Sequence, residues 1–377
     1  LEGAWAMGDP ASAPALPPWQ ALPCFPGQCL PCQDQLQDAP ATSISRSTAQ
    51  SQEPLRRIKG GEIWVQRHTN PWRFSHGVGC VDASGAPQLD HCRLYPWPWA
   101  SCPHESAFAA ASWRRLQHHR LTLPPPLQLK GSVLAVADLS GELYFHWMLE
   151  TLPRLGRAWQ QLQSNEPPSW VWHNGGDLPS TREACRRLGI PPDRIIHAAT
   201  HPWIQAETLL LPPFTPFGAI DPGHLTWLER FWAEPRAEAK AAPAATSHYL
   251  PRGAAGRRAV LEEASLIKQL RQARPKLELL APTASTSSQL GSLNDAELVI
   301  AGHGSALANL LLLPQGCDVI ELVNPDYQPP YFNSLLHRRQ AHHRRMPGLA
   351  TPLPLQELLY ENSLSLPIEM GQIQVVD

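Results

Sequence analysis

Hydrophobic and polar positions follow two different periods along most of this chain. Short apolar runs such as SVLAVADL (132–139) are typical of buried strands, and amphipathic stretches such as 142–163 are typical of helices. Strands and helices alternate from about 130 to 235 and again from 246 to 345. This alternation predicts an α/β fold with two successive doubly wound, Rossmann-like units that face one cleft.

The individual elements follow from where each pattern starts and stops. Pro153 is expected to kink or split the helix over 142–163, and Ser180 with Glu183 predicts a capping box for a helix that Gly189 ends. The predicted strands are 132–139, 169–174, 194–198, 206–214, 247–252, 276–282, 297–302 and 317–323. The predicted helices are 142–163, 180–189, 224–234, 257–273, 286–296, 305–313 and 331–340.

The flanking segments have a different pattern. Residues 1–54 are rich in Pro, Ala, Ser and Gln and predict an irregular arm. Residues 55–130 contain short β-like pieces, with a tight turn at Asp82, Ser84 and Gly85. We therefore predict an N-terminal domain over 55–235 with a β-rich start, a second domain over 246–345, and a tail over 346–377 that packs back across the domains.

Composition narrows the class of protein. A length of 377 residues suits two domains at about 150 residues each, and a net charge of -2 gives no global indication of nucleic acid as a partner. We find no apolar run of about 18 residues, so we expect no transmembrane segment, and the first residues do not form a signal peptide. Among the eight cysteines, Cys24, Cys29 and Cys32 are close together but lack a fourth metal ligand, and thin cysteine usage suits a reducing cytoplasm.

The sequence GHGS marks a candidate anion site. A buried strand is predicted to end at Ala301, Gly302, His303 and Gly304 form a tight turn, and a helix starts near Ser305. Backbone N–H groups and the positive end of a helix at the carboxyl edge of a sheet favour phosphate. The alternative is an ordinary strand–turn–helix connection that Ser305 caps.

Two charged residues are predicted at the same kind of edge. Glu321 lies near the end of the next strand, where it could accept hydrogen bonds from ribose hydroxyls or form an ion pair with an arginine. Arg252 ends the strand 247–252 and suits a diphosphate, a role that Arg257 or Arg258 could share. The basic stretch 337–345 could attract an anionic acceptor, although such runs usually form a solvated face.

The stretch YFHWMLE (144–150) carries the second chemical signal. His146 and Glu150 are four positions apart, so they share one face of the predicted helix near its start. An imidazole oriented by a carboxylate is a plausible general base. The alternative is a structural role, in which Glu150 pairs with Arg154 or Arg157.

These stretches together resemble family 61 of the glycosyltransferases. LYFHWMLETLPRL and, about 150 residues later, AGHGSALANLLLLPQGCDVIEL match that family's motifs in the same order. Arg252 in YLPR resembles the family's strand-ending arginine, and the resemblance covers roughly residues 130–335. Two positions depart from the family pattern: Gly302 replaces a frequent proline, and Leu312 replaces a common aromatic residue.

The resemblance implies a GT-B fold and an inverting transfer from a nucleotide sugar, commonly a UDP-sugar, to a glycan or glycoconjugate acceptor. It implies that His146 is the base that Glu150 orients, with Glu150 itself as second choice. Bacterial relatives act in the synthesis of capsule or surface polysaccharides, so we expect a bacterial cytoplasmic enzyme, with peripheral membrane association as an option.

The same resemblance assigns the donor site to the second domain. Arg252, the Gly302–Ser305 turn and His303 would stabilise the departing diphosphate, while Asn309 and Glu321 would hold the helix and the nucleoside. We find no D-x-D carboxylate pair in a suitable loop, so we predict no obligatory metal or other cofactor.

Two other functions fit the sequence. A nucleotide-sugar epimerase with a GT-B-like fold would need no acceptor, and a non-catalytic carbohydrate-binding or assembly protein would need neither His146 nor Glu150 for ligand binding. The sequence does not name the sugar, the acceptor or the linkage, because small differences in a pocket decide such choices.

Overall fold

A computed structural model describes ten stretches of the chain: 55–67, 75–88, 91–94, 116–213, 220–233, 246–252, 260, 262–280, 284–323 and 331–347. The predicted arm over 1–54 and nearly all of the predicted tail lie outside them. The described residues form a mixed α/β structure with two sheets, which confirms the predicted α/β class. No described helix is long and apolar enough to span a bilayer.

The first sheet has eight strands in the order β4-β3-β2-β8-β5-β6-β7, and β1 also pairs with β8. The strands β5 to β8 are parallel to their neighbours within that group, whereas β1 to β4 pair antiparallel. The bounds are β1 Arg56–Lys59, β2 Glu62–Arg67, β3 Ser75–Val81, β4 Arg93–Leu94, β5 Leu127–Val136, β6 Trp170–His173, β7 Ile195–His197 and β8 Trp203–Leu211.

The short β pieces before residue 130 are part of this sheet. We predicted them as a β-rich start, and they extend the parallel strands through β8, which pairs with β5 on one side and with β1 and β2 on the other. The chain passes from β1 to β2 along β8 through Gly60, whose φ of 61° favours glycine. The predicted turn is confirmed, because Asp82 Oδ1 accepts hydrogen bonds from the backbone N–H groups of Ser84 and Ala86.

Two helices connect strands of this sheet, and a third follows β8, its last strand along the chain. The first, α1, comprises an α-helical turn Tyr144–His146, a π-helical turn Trp147–Thr151 and an α-helix Leu152–Gln163. The others are α2 Pro179–Arg187 and α3 Pro222–Trp232. The predicted capping box was wrong, because Pro179 already occupies the first turn of α2 and leaves Ser180 inside the helix. Gly189, with a φ of 71°, follows the helix as predicted.

The strand β5 differs from its predicted bounds. It begins at Leu127 rather than 132 and ends at Val136 rather than 139. The early start was missed because LQLKG mixes polar and apolar residues beside a proline cluster, and this part of the strand is only partly buried. After this early end, Ser140 lies in the left-handed region (φ 58°) and turns the chain towards α1.

The second sheet is entirely parallel, in the order β10-β9-β11-β12-β13. Its strands are β9 Thr246–Leu250, β10 Glu278–Leu279, β11 Ala296–Gly302, β12 Asp318–Val323 and β13 His342–Pro347. Its helices are α4 Glu263–Ala273, α5 Thr286–Ser292, a 3₁₀ helix Ser305–Leu312 and α6 Asn333–Arg338. Numbered within the unit, the order of the strands is 2-1-3-4-5. Doubly wound sheets of this kind bind ligands at the carboxyl ends of the two adjacent strands whose connections leave in opposite directions, which here are β9 and β11.

Two elements of this unit differ from the sequence predictions. The helix expected from Ser305 is a 3₁₀ helix. The basic residues HHRRMP, interpreted as a solvated face, form the parallel edge strand β13 beside β12. An edge strand pairs with the sheet on one side only and often carries charged residues. Its hydrophobic pattern therefore does not reveal it.

The chain separates into two compact units, Leu1–Trp227 and Leu228–Asp377. The division falls within α3, whereas the predicted domains end at 235 and begin at 246. Residues 234–245 lie outside the described part of the chain, and the predicted domain bounds and the shared cleft stay predictions.

Candidate functional site

The first group of candidate residues lies where β5 ends and α1 begins. The His146 Nδ1 atom is 2.8 Å from Glu150 Oε2, and the two side chains are 13% and 3% exposed. The Phe145 ring meets the imidazole edge-on, with ring centroids 5.0 Å apart. A carboxylate that is almost fully buried therefore fixes one nitrogen of a partly exposed imidazole, as expected from the sequence.

A π-helical turn separates these two residues. It covers Trp147–Thr151, and the α-helix resumes at Leu152. Pro153 has no N–H to donate to the carbonyl of the preceding turn, which weakens α-helical bonding here. We predicted that Pro153 would kink or split the helix, and the structure instead has a change of helix type just before it. Such turns occur frequently at functional sites.

Arg154 ties the carboxyl ends of β5 and β8 together. Its guanidinium donates to Asp138 Oδ1 at 2.5 Å, to the carbonyl of Ala137 at 3.3 Å, and to the carbonyls of Pro212 and Pro213 at 3.1 and 2.8 Å. In the order of the sheet, β6 and β7 lie on one side of β5, and β8 lies on the other side. Arg154 therefore braces the topological switch point at which α/β sheets bind ligands.

The end of β6 adds residues that the sequence analysis missed. Asn174 accepts a hydrogen bond from the Asp138 N–H at 3.1 Å and donates to the Asp138 carbonyl at 2.6 Å. The N–H of Gly175 donates to His173 Nδ1 at 3.1 Å, and a β-carbon at Gly175 would overlap the Trp147 ring. Burial, with the nearby His197, lowers the pKa of His173 to about 3. The only sequence signal was a polar, glycine-rich HNGG directly after a strand.

Glu142 is a second residue that was missed; it lies four residues before His146, in the turn that precedes α1. Its carboxylate accepts hydrogen bonds from the N–H and hydroxyl of Ser75, at 2.7 and 2.6 Å, and lies 3.4 Å from Arg67 Nε. Burial raises its pKa and outweighs the opposing effect of the Ser75 hydrogen bonds. It anchors the start of α1 to β3, which no local pattern could indicate because Ser75 is 67 residues away.

Arg252 of the second unit follows β9 and lies across the GHG turn, which begins at Gly302, the last residue of β11. A β-carbon at Gly304 would overlap its guanidinium, and one at Gly302 would lie 2.7 Å from its Cγ. The φ of Gly304 is 169°, so the close approach of Arg252, and not the backbone conformation, requires glycine there. The Arg252 N–H donates to Glu263 Oε1 at 2.7 Å, which fixes the backbone at the start of this loop.

The turn itself is held by the neighbouring strand. The His303 N–H donates to the Leu322 carbonyl at 2.8 Å, and the Leu307 N–H donates to the Gly304 carbonyl at 3.0 Å. Gly304 is the residue before the 3₁₀ helix, and Ser305 is already its first residue. The alternative in which Ser305 caps the helix was therefore wrong.

Glu321 lies behind His303. Its Oε1 is 2.5 Å from His303 Nδ1, and its Oε2 is 2.8 Å from His343 Nε2 and 3.2 Å from Arg345 Nε. Burial alone would raise the pKa of Glu321, but the hydrogen bonds from His303 and His343, with the nearby charges, hold it well below its usual range. Its predicted contact with the nucleoside stays a prediction. In the structure the side chain is 1% exposed and holds His303.

Residues 144–320 match the family model of Glycosyltransferase 61. A search of curated proteins found no match. The matched residues include the His146–Glu150 pair, Arg252 and the GHG turn, and they end one residue before Glu321. The match supports family 61 and, with it, a glycosyltransferase activity.

The remaining predicted donor residue, Asn309, is fully buried in the 3₁₀ helix. Its side-chain amide donates to Gln289 Oε1 at 2.9 Å, which joins this helix to α5. Among the described residues, no group of three or more His, Cys, Asp or Glu side chains is arranged to hold a metal ion. Cys24, Cys29 and Cys32 lie outside that part of the chain.

Proposed function

We propose that this chain is an inverting glycosyltransferase that moves a sugar from a UDP-sugar to a hydroxyl group of a glycan or glycoconjugate. The match to family 61 supports sugar transfer. The observation that carries the donor assignment is the position of Arg252 across Gly302 and Gly304, because it puts a cation beside a glycine turn at a switch point.

The donor's diphosphate gains negative charge as it leaves. Arg252 offers a planar fork of N–H donors that suits phosphate oxygens, and we assign His303 of the GHG turn to the same diphosphate. These groups supply the positive charge that a metal ion supplies in other transferases, so our proposal includes no obligatory metal. Asn309 supports the site by holding the 3₁₀ helix against α5.

The acceptor hydroxyl must lose a proton as the new bond forms. We assign this step to His146, whose Nδ1 is engaged by Glu150, so that Nε2 is the nitrogen that takes the proton. Glu150 keeps the ring oriented and stabilises the imidazolium that forms. A positioned general base of this kind contributes about 10²–10⁴ in rate.

The proposal requires the two units to present these groups to one cleft, as in a GT-B enzyme. Surface polysaccharide synthesis in a bacterial cytoplasm, with the acceptor at or near the inner membrane, is the setting we propose. It is supported by the resemblance to family 61 and by the four described cysteines, which are all free thiols.

A thermal-shift screen tests the donor assignment. Purified protein is mixed with UDP, GDP, CMP and their common sugar conjugates, with and without EDTA, because a ligand of the folded state raises the unfolding midpoint. We expect a shift with uridine nucleotides that survives EDTA, disappears in Arg252→Ala and persists in the matched control Arg271→Ala, an exposed arginine of α4. No shift with any nucleotide would overturn the assignment and favour the non-catalytic alternative.

Product analysis then separates the transferase from an epimerase. A transferase releases UDP, and an acceptor accelerates this release, whereas an epimerase forms another nucleotide sugar without releasing UDP. Conversion of the donor into another nucleotide sugar in the absence of any acceptor would therefore contradict the proposed reaction.

A further inference from the structure

The carboxylate of Glu321 is surrounded by two histidines and an arginine, which come from β13 and from the turn that follows β11. His303 follows β11, while His343 and Arg345 belong to β13, and all three are within 3.2 Å of a carboxylate oxygen. The Glu321 side chain is 1% exposed, His343 is 17% exposed and Arg345 is 23% exposed. The network therefore runs from the sheet edge to a buried point behind the GHG turn.

The register of the sheet explains why these side chains meet. Glu321 pairs with Arg345, and His343 pairs with Val319, two residues earlier on β12. Because side chains alternate between the faces of a sheet, residues 343 and 345 share the face of Glu321, whereas His342 and Arg344 belong to the opposite face. The alternation divides the basic run into two sets on opposite faces of the sheet.

A buried carboxylate is costly unless it is paired and hydrogen-bonded. Glu321 meets this condition only with its three partners, and two of them come from β13. Arg345 is itself fixed, because its Nη2 donates to Asn333 Oδ1 at 3.2 Å. The position of the carboxylate, and hence of the imidazole that it holds, depends on residues that lie outside the matched span 144–320.

We propose that His343 and Arg345 are positioning residues: they hold Glu321, and Glu321 holds Nδ1 of His303 so that its ring is fixed beside the leaving diphosphate. The identity of the ligand as a diphosphate rests on the proposed function, but the arrangement of the three residues around Glu321 does not. If His343 and Arg345 had a merely structural role, their variants would be less stable, but the NMR signals of His303 would not change.

The first experiment needs no ligand. Protein labelled with ¹⁵N in its histidines is examined by NMR, and the His303 signals are assigned from their loss in His303→Gln. We expect His343→Gln and Arg345→Gln to shift the Nδ1 signal of His303, and the neighbouring controls His342→Gln and Arg344→Gln to leave it unchanged. An unchanged His303 signal in both network variants would overturn the inference.

The second experiment measures affinity for UDP by calorimetry with the same variants. We expect the dissociation constant to rise about tenfold in His343→Gln and Arg345→Gln, corresponding to loss of one charge-assisted interaction, and to stay within twofold in the two controls. Unfolding midpoints without ligand show whether each variant is folded. If Arg345→Gln does not fold, Arg345→Lys, which keeps the charge but loses the Nε donor, replaces it.

The two proposals fail in distinguishable ways. If wild-type protein binds no UDP, the proposed function fails, while the NMR comparison still decides whether His343 and Arg345 position His303. If UDP binds and the network variants bind it as tightly as the controls do, the positioning role in donor binding is wrong and the network is structural.

Discussion

The guanidinium of Arg252 lies so close to Gly304 that a β-carbon on residue 304 would overlap it. Arg252 follows one strand of a parallel sheet, and Gly304 follows the strand beside it. The glycine is therefore explained by a close approach between two loops at the carboxyl edge of the sheet, where the donor diphosphate is proposed to bind.

Gly304→Ala tests this relationship directly. The added methyl group must displace the Arg252 side chain, so we expect affinity for UDP to fall about tenfold or more, equivalent to ~1.4 kcal/mol or more. Titration calorimetry with UDP measures the effect. Gly291→Ala is the matched control, because a β-carbon there meets no atom within 4 Å. Equal affinities in the two variants would contradict the role of the close contact.

His146→Gln is expected to lower the turnover rate by about 10²–10⁴ while affinity for the donor stays near the wild-type value. The reason is that His146 is assigned to proton transfer from the acceptor and belongs to the first unit, whereas the donor residues belong to the second. Steady-state kinetics with varied UDP-sugar separates the turnover rate from the KM for the donor. A variant with full turnover would remove His146 from the mechanism and leave Glu150 as the candidate base.

Arg154→Met is expected to destabilise the first unit by about 3–5 kcal/mol. The change leaves the buried carboxylate of Asp138 without its cation and the carbonyls of Pro212 and Pro213 without their donor. Urea unfolding monitored by tryptophan fluorescence gives the free energy of unfolding. Arg157→Met, at an exposed position of the same helix, serves as the control and should change that energy little. Similar losses in both variants would argue against the bracing role.

The buried His173 predicts a dependence of stability on pH. Its pKa is about 3 in the folded protein and about 6.5 when unfolded, so between these values the unfolded chain binds a proton that the folded chain does not. Its contribution to stability is therefore lost as the pH falls from about 6.5 towards 3, by up to ~1.4 kcal/mol per pH unit.

The corresponding measurement compares urea unfolding of wild type and His173→Gln between pH 7 and 5. Stability of the wild type should fall more steeply with decreasing pH than that of the variant, because only the wild type carries the suppressed imidazole. Parallel pH profiles would show that His173 titrates normally in the folded protein.

The sequence predicted those parts of the structure whose signals are local. YFHWMLE predicted a histidine and a carboxylate on one helical face, and AGHGS predicted a turn at the end of a buried strand, because both depend on residues only a few positions apart. The π-helical form of the turn after His146 was not predicted, since hydrophobic periodicity does not distinguish helix types over five residues.

Long-range partners escaped prediction for a different reason. Glu142 bonds to Ser75, and Glu321 bonds to His343 and Arg345, through strand pairings that local patterns do not encode. The edge strand β13 was interpreted as a solvated run, because two histidines followed by two arginines give no apolar period. Its pairing with β12 is visible only in the folded chain.

The measurement that tests the account most directly is acceptor-dependent release of UDP from a panel of UDP-sugars, by wild type and by His146→Gln, with EDTA present. The account predicts release that requires both a glycan acceptor and the imidazole, with the variant at least about 10²-fold slower although it binds UDP normally. UDP release that is equal in both proteins, or no release from any UDP-sugar with any acceptor, would contradict it.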